Sequence, residues 1–233
     1  MFWQEDDKPK SFQVPDDIVD LVFDIQCREL PVDHAHELSM AIRAHLPSME
    51  DDERFAVHSI HLAGSQNGWE RPDPRLGQNL ILSRRTKLTL RVPKERIAEV
   101  EEALEGAELD IAGYALTVGK AKQKKLSSQG TVFSRHVVLE PGEEIDENAF
   151  LQRIVSRLDE RGIRVKKALC GKTSELAGPE GPIQTRSIMI AGLSADESVR
   201  MQQEGIGPLR LMGCGIFIPH KGIDSVRKSE DEV

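Results

Sequence analysis

Hydrophobic and polar positions change period several times along the chain. From Ile18 to Ile25 a short apolar run places Leu21, Phe23 and Ile25 on one face, which predicts a strand. From His34 to Leu46 the period lengthens: Leu38, Ala41, Ile42 and Ala44 to Leu46 recur at helical spacing, with Asp33 placed to cap the helix and Pro47 to end it. Phe55 to Leu62 predicts a second strand, and Gly64 to Asn79, rich in Gly, Pro and Asn, a loop. Lys87 to Val92 alternates as a third strand. Pro93 suits the first turn of a helix whose buried side carries Ile97, Val100, Ala103 and Leu104. Leu109 to Val118 closes the set as a strand with an internal turn at Gly113.

The same order of elements then repeats. Val132 to Leu139 predicts a strand, Asn148 to Glu160 a helix, Val165 to Cys170 and Thr185 to Ile190 a strand pair, Ser194 to Glu204 a helix, and Leu211 to Ile218 a last strand. Strand-helix-strand-strand-helix-strand is the split βαβ plan, so the expected fold class is α+β with two tandem ferredoxin-like, RNA-recognition-type domains. Their expected extents are 17–119 and 131–222, joined by a basic linker at 120–130. A flexible acidic leader (1–16) and a flexible tail (223–233) flank them. The repetition lies in the order of elements, without strong internal sequence similarity.

Charge sharpens this picture. The 233 residues carry a formal charge of −8, but the acids are bunched in the tails and in a few internal runs. Pro74 to Lys94 holds Arg75, Arg84, Arg85, Lys87, Arg91 and Lys94 and no acid; Gly119 to His136 holds Lys120, Lys122, Lys124, Lys125 and Arg135, again with none. A third run is Arg161, Arg164, Lys166, Lys167 and Lys172. Each run alone reads most simply as solvated surface, whereas three together in an acidic chain point to a charged groove. No apolar run approaches the length of a membrane span, and the N-terminus is acidic where a signal peptide is basic, so a cytoplasmic protein without membrane contact is expected. Cys27, Cys170 and Cys214 are widely spaced, which predicts free thiols rather than a disulfide framework or a zinc site.

The densest motif lies near the end of the chain. Gly205-Ile206-Gly207 and Gly213-Cys214-Gly215 flank a five-residue insert carrying Arg210. Such glycines let backbone amides approach a phosphate closely. They equally suit a helix cap at Gly205 and a strand bulge at Gly213 and Gly215. Followed by Ile216-Phe217-Ile218-Pro219-His220, this pattern resembles the glycine-rich loop of the CRISPR-associated repeat-processing endoribonucleases, the sixth-numbered Cas family. Leu30-Pro31-Val32-Asp33-His34 and Leu82-Ser83-Arg84-Arg85-Thr86-Lys87-Leu88 resemble its myxobacterial-type branch. The likeness spans roughly residues 17 to 221 and implies the same two-domain architecture.

The resemblance implies cleavage of precursor CRISPR RNA within its repeats, without metal or cofactor, by attack of a ribose 2′-hydroxyl that leaves a 2′,3′-cyclic phosphate. It implies as partners the repeat stem-loop and the other subunits of an interference complex. The alternatives are a subunit that holds the hairpin without cutting it, and a tandem ferredoxin-like domain that binds no RNA. Proton transfer needs a side chain that titrates near neutrality, as histidine does with an unperturbed pKa of about 6.5. Of the seven histidines, His61 in Ile60-His61-Leu62-Ala63-Gly64 resembles the family's residue best. His34, heading the first helix, comes second, and His58 ranks lower. The middle turn of that helix carries Arg43 where some branches place a tyrosine, so a tyrosine-assisted mechanism is not expected. Arg84, Arg85, Lys87, Lys120, Lys122, Lys124 and Lys125, with Gly205, Gly207, Arg210, Gly213 and Gly215, form the expected RNA contacts. With aromatic residues at 4%, phosphate and shape recognition is expected to outweigh base stacking.

Overall fold

The computed structural model describes residues 12–61 and 78–221. Expectations for most of the leader, for most of the Gly64–Asn79 loop and for the C-terminal tail therefore lie outside the described residues.

Two antiparallel sheets carry helices on one face each. The first joins β1 (Ile18–Gln26), β3 (Ala56–Val57), β5 (Lys87–Pro93), β6 (Glu108–Ile111) and β7 (Tyr114–Lys125) in the order β3-β5-β1-β7-β6. Register decides what each face holds. Val19, Leu21 and Phe23 pair with Val92, Leu90 and Leu88, and this apolar side packs against Leu38 and Ile42 of α1 (Ala35–His45) and Val100 and Leu104 of α2 (Ile97–Leu104). The other side presents the rows Asp20–Arg91, Val22–Thr89 and Asp24–Lys87, because neighbours on a strand point to opposite faces. A small second sheet pairs β2 (Glu29–Pro31) with β4 (Asn79–Ile81).

The second large sheet joins β8 (Thr131–Val138), β9 (Lys167–Leu176), β10 (Ile183–Ala191) and β11 (Ile218–Pro219) in the order β11-β8-β10-β9. Its covered side sets Val132, Ile188 and Ile190 against Phe150, Ile154 and Leu158 of α3 (Glu147–Glu160) and Met201 of α4 (Ala195–Glu204). Asp146 caps α3 by accepting from the Ala149 amide, and Ser194 and Glu197 close a reciprocal capping box on α4.

Several elements differ from expectation for local reasons. Asp33 does not cap α1; its Oδ2 accepts from the Ala177 amide in the second half of the chain at 2.6 Å. The stretch expected to begin a linker at Lys120 continues β7 as far as Lys125, because its backbone pairs with β1 and lays Ala121 and Gln123 beside Phe23 and Leu21. Ala112 and Gly113 both take positive φ and close the β6–β7 hairpin in a two-residue turn. The last strand shrinks to Ile218–Pro219. Residues 205–217 form a loop with one 3-10 turn at Arg210–Met212 instead, since Gly205, Gly207, Gly213, Gly215 and also Leu209 hold positive φ, which breaks a strand. Cys214 is buried, and its thiol is pushed up to about 12 by desolvation; Cys27 and Cys170 are half-buried, and all three thiols are free.

The two halves meet through polar as well as apolar contacts. Arg91, fully buried, chelates Asp20 (2.8 and 3.2 Å) and sends its remaining nitrogen to the carbonyls of Gln202 (2.5 Å) and Phe217 (3.0 Å). The guanidinium holds the Asp20 carboxyl well below the usual carboxylate range despite its burial. Ile18, Leu126 and Val199 form a small apolar cluster beside this junction. Arg91 therefore belongs to the joint between halves and not to a basic surface.

Candidate active site in the cleft between the sheets

Beyond β3 the chain runs on beside β5, where the His58 amide donates to the Thr89 carbonyl at 3.0 Å. His58, Ser59 and His61 form one wall of a small solvent-open cleft, and Phe133, Arg135 and His136 of β8 form the other. Gly213, Ile216 and Ile218 close its end. His61 and Gly213 stand out in the sequence; the structure brings them together with three β8 residues that do not.

The histidines divide by burial. His61 is exposed at the cleft. His34 is 2% exposed, and both ring nitrogens bond to backbone: Nδ1 donates to the Pro31 carbonyl at 2.9 Å and Nε2 accepts from the Ile60 amide at 3.1 Å. Accepting at Nε2 fixes the neutral tautomer with the proton on Nδ1, in keeping with a pKa drawn down mainly by burial. His34 thus reaches the site only through the amide next to His61. His58 lies 3.6 Å from Asp20 Oδ1, and its pKa is also lowered, first by burial and secondarily by Arg91. His136 bonds through Nδ1 to Thr185 Oγ1 (3.0 Å) and Ser174 Oγ (3.2 Å); burial and then the neighbouring Arg135 push it down to about 4. Two imidazoles with lowered pKa, the half-buried His58 and the buried His136, therefore stand in the walls beside an exposed one.

The glycine motif is folded tightly on the protein. Amides of Gly205, Ile206, Gly213, Cys214 and Gly215 donate to Met201, Gly215, Arg210, Leu209 and His136 carbonyls, so these amides are spent internally rather than turned toward a phosphate. A Cβ on Gly215 would overlap the Ile206 carbonyl, and one on Gly213 would strike Ser59 across the junction. Gly207 alone of the four has open space before it. Arg210 points inward: its guanidinium donates to the carbonyls of Phe55 (3.4 Å), Gln203 (2.8 Å) and Glu204, and burial draws its pKa to about 10.

The remaining basic candidates lie outside the cleft. Arg84 and Arg85 are exposed at the Ser83–Thr86 turn before β5. Lys120, Lys122 and Lys124 are exposed, and register sets Lys122 beside Val22 and Lys124 beside Asp20, on the open face of the first sheet. Lys87 on that face pairs with Asp24 at 2.5 Å, while Lys125 falls on the opposite side, in register with Val19. Among the described residues no three His, Cys, Asp or Glu side chains converge as metal ligands, and no helix is long and apolar enough to cross a membrane.

Residues 19–222 match the family model of the Cas6 proteins of CRISPR systems. The chain belongs to the Cas6 family. It is 31% identical over 201 residues to the CRISPR-associated endonuclease Cas6 of Myxococcus xanthus (strain DK1622), covering 86% of this chain and 81% of that one. Among solved structures, a CRISPR associated protein Cas6 superposes over 88% of this chain and 100% of its own with a TM-score of 0.58 at 12% identity. A Cas6-related protein of Pyrococcus furiosus covers 86% and 97% with a TM-score of 0.56 at 16% identity. At such identities these two structures support the mixed α/β fold with its antiparallel sheets. The curated relative extends the likeness to sequence.

Proposed function

We propose that this protein is a metal-independent endoribonuclease that cuts precursor CRISPR RNA within its repeats and keeps the stem-loop as a subunit of a cytoplasmic interference complex. The observation that carries the reading is the exposed His61 at the mouth of a cleft shared by both halves, in a chain whose curated relative is named as an endonuclease. The strand orders β3-β5-β1-β7 and β11-β8-β10-β9, alike when each half is numbered separately, support two tandem ferredoxin-like domains.

In the proposed reaction the ribose O2′ bonds to the adjacent phosphorus as the P–O5′ bond breaks. The proton lost from O2′ must be accepted and O5′ must receive one, giving a 2′,3′-cyclic phosphate and a 5′-hydroxyl. His61 is assigned proton transfer, since it is the exposed imidazole at the cleft. His34 is assigned positioning, holding the Ile60 amide and with it the neighbouring His61. Arg135 supplies positive charge to the phosphate. The glycine loop forms the end wall through Gly213, with Gly205 and Gly215 required for its closure, Gly207 open to RNA, and Arg210 bracing the loop from behind. Arg84, Arg85, Lys87, Lys120, Lys122 and Lys124 are assigned the flanking phosphates, and Lys125, on the other side of β7, a contact at the strand's end.

His61→Ala should leave hairpin affinity near that of the wild type while slowing cleavage roughly 10²- to 10⁴-fold, the usual worth of positioned acid–base catalysis. Chelator should change neither. His34→Ala should lower thermal stability, because the Ile60 amide loses its buried acceptor, and should lower kcat with the pH profile kept. Abolished cutting in His34→Ala alongside normal cutting in His61→Ala would move proton transfer to the head of α1. Normal cutting in both, or no cyclic phosphate from the wild type, leaves a subunit that binds the hairpin without cleaving it.

A further inference from the structure

The uncovered face of the second large sheet is built unlike an ordinary solvated surface. Register aligns Ile218, Phe133, Met189 and Leu169 directly across β11, β8, β10 and β9, one residue from every strand. Leu169 is 58% exposed and Ile218 40% exposed, so this row is an apolar stripe in contact with water. Phe133 sits within it, with the His220 ring 5.8 Å away and the Arg135 guanidinium 5.9 Å from its centroid. Above and below the stripe the same face carries Lys167 opposite Ala191, and Gly171 beside Ser187; no carboxylate interrupts these three rows.

We infer that this face binds unpaired nucleotides of the same RNA, with bases lying on Phe133 and along the stripe toward Leu169 as the strand leaves the cleft. The inference rests on the proposed function for the identity of the RNA, and three observations carry it. Continuity is the first: Phe133, Arg135 and Ile218 line the cleft that holds His61 and also belong to this face, so a strand seated at His61 need only continue. Chemistry is the second: an aromatic ring, a guanidinium and an imidazole side by side offer planar surfaces to bases, and the flanking cations suit phosphates. Dimension is the third: four strands spaced by about 4.8 Å span roughly 14 Å, room for the two or three bases that a four-stranded sheet of this kind accommodates. Low aromatic content argues against stacking over the chain as a whole; what matters is where one phenylalanine stands.

The test compares the repeat hairpin alone with the same hairpin extended by about four unpaired nucleotides on either side, and includes the unpaired segments as free oligonucleotides. One extension should tighten wild-type binding by about tenfold or more, the worth of one to two stacked bases. 2-Aminopurine in that extension should be quenched on binding. Phe133→Ala should abolish both effects. Leu169→Glu, at an exposed edge-strand position that leaves the fold intact, should reduce the gain severalfold without altering affinity for the bare hairpin. Wild-type protein that binds and cuts the hairpin but gains nothing from either extension would overturn the inference while leaving the proposed function standing, and would assign the stripe to a protein neighbour. So would a full gain retained in Leu169→Glu and Phe133→Ala. No hairpin binding, with an oligonucleotide bound by wild type and lost in Phe133→Ala, would do the reverse.

Discussion

Apart from the added edge strand β6, the two large sheets share one strand order yet turn opposite surfaces outward. The first carries Lys120, Lys122 and Lys124 around Asp24 and Lys87, a charged face whose proposed partner is the RNA backbone. The second carries Leu169, Met189, Phe133 and Ile218, an apolar row to which flat bases are assigned above. Topology fixes which residues become neighbours, and side-chain choice at a few odd or even positions then decides what each face binds. The two faces also differ in how they are closed. α4 and Phe217 cover one end of the first, over Asp20 and Arg91, whereas the second opens directly into the cleft.

The sharpest way to break this arrangement is at the joint. Asp20→Ala leaves the Arg91 guanidinium buried without a counter-charge and should destabilise the protein by about 3–5 kcal/mol, read as a lowered denaturant midpoint. A midpoint unchanged by the substitution would show that the pair does not join the halves.

Acid should separate the sheets next. A histidine whose folded pKa lies below its unfolded value contributes least cost to folding above about pH 6.5 and opposes folding increasingly as pH falls toward its folded value. For His136, displaced from 6.5 to about 4, the loss over that window is on the order of 3 kcal/mol. His34 and His58 add to it in the same direction. His136→Asn should therefore be less stable than wild type at pH 7 and show a shallower decline between pH 6.5 and 4, measured by thermal unfolding across that range. An equally steep decline would place the acid sensitivity in His34 and His58, on the side of the first sheet.

A third comparison uses salt. Replacing Lys120, Lys122 and Lys124 together by Ala should flatten the dependence of RNA affinity on salt by about one in log–log slope for each phosphate no longer neutralised, whereas Leu169→Ala should leave the slope alone. Equal slopes in the two variants would erase the distinction between the faces. The smallest effect belongs to Lys87→Ala, whose exposed pair with Asp24 should leave the unfolding midpoint where it is.

Elements with a strong period were legible in the sequence. β1, β5, α3 and α4 lie within a few residues of expectation, and Ser194 with Glu197 announces the start of α4. The β2–β4 pair was not legible, since strands of three residues carry no period. Nor was the full length of β7, where exposed lysines conceal a backbone held by β1. The site divides similarly. His61 and Gly213 stand out through local motif. Arg135 and His136 sit inside an ordinary strand, and only the docking of the two halves sets them opposite His61. The difference between His34 and His61 is burial, a tertiary property on which their local sequences are silent.

Arg210 has a kinetic consequence. By bridging the carbonyls of Phe55, Gln203 and Glu204 it ties the glycine segment to the end of α4 and to the strand edge before the cleft. The entropy lost in shaping that segment is surrendered when the chain folds, not when RNA arrives, so association meets a wall already in its final form. Encounter should then be limited by diffusion and orientation rather than by rearrangement, and exchange of the bonded amides of Gly205, Ile206 and Met212 to Gly215 should be slow in the free protein and little changed by RNA.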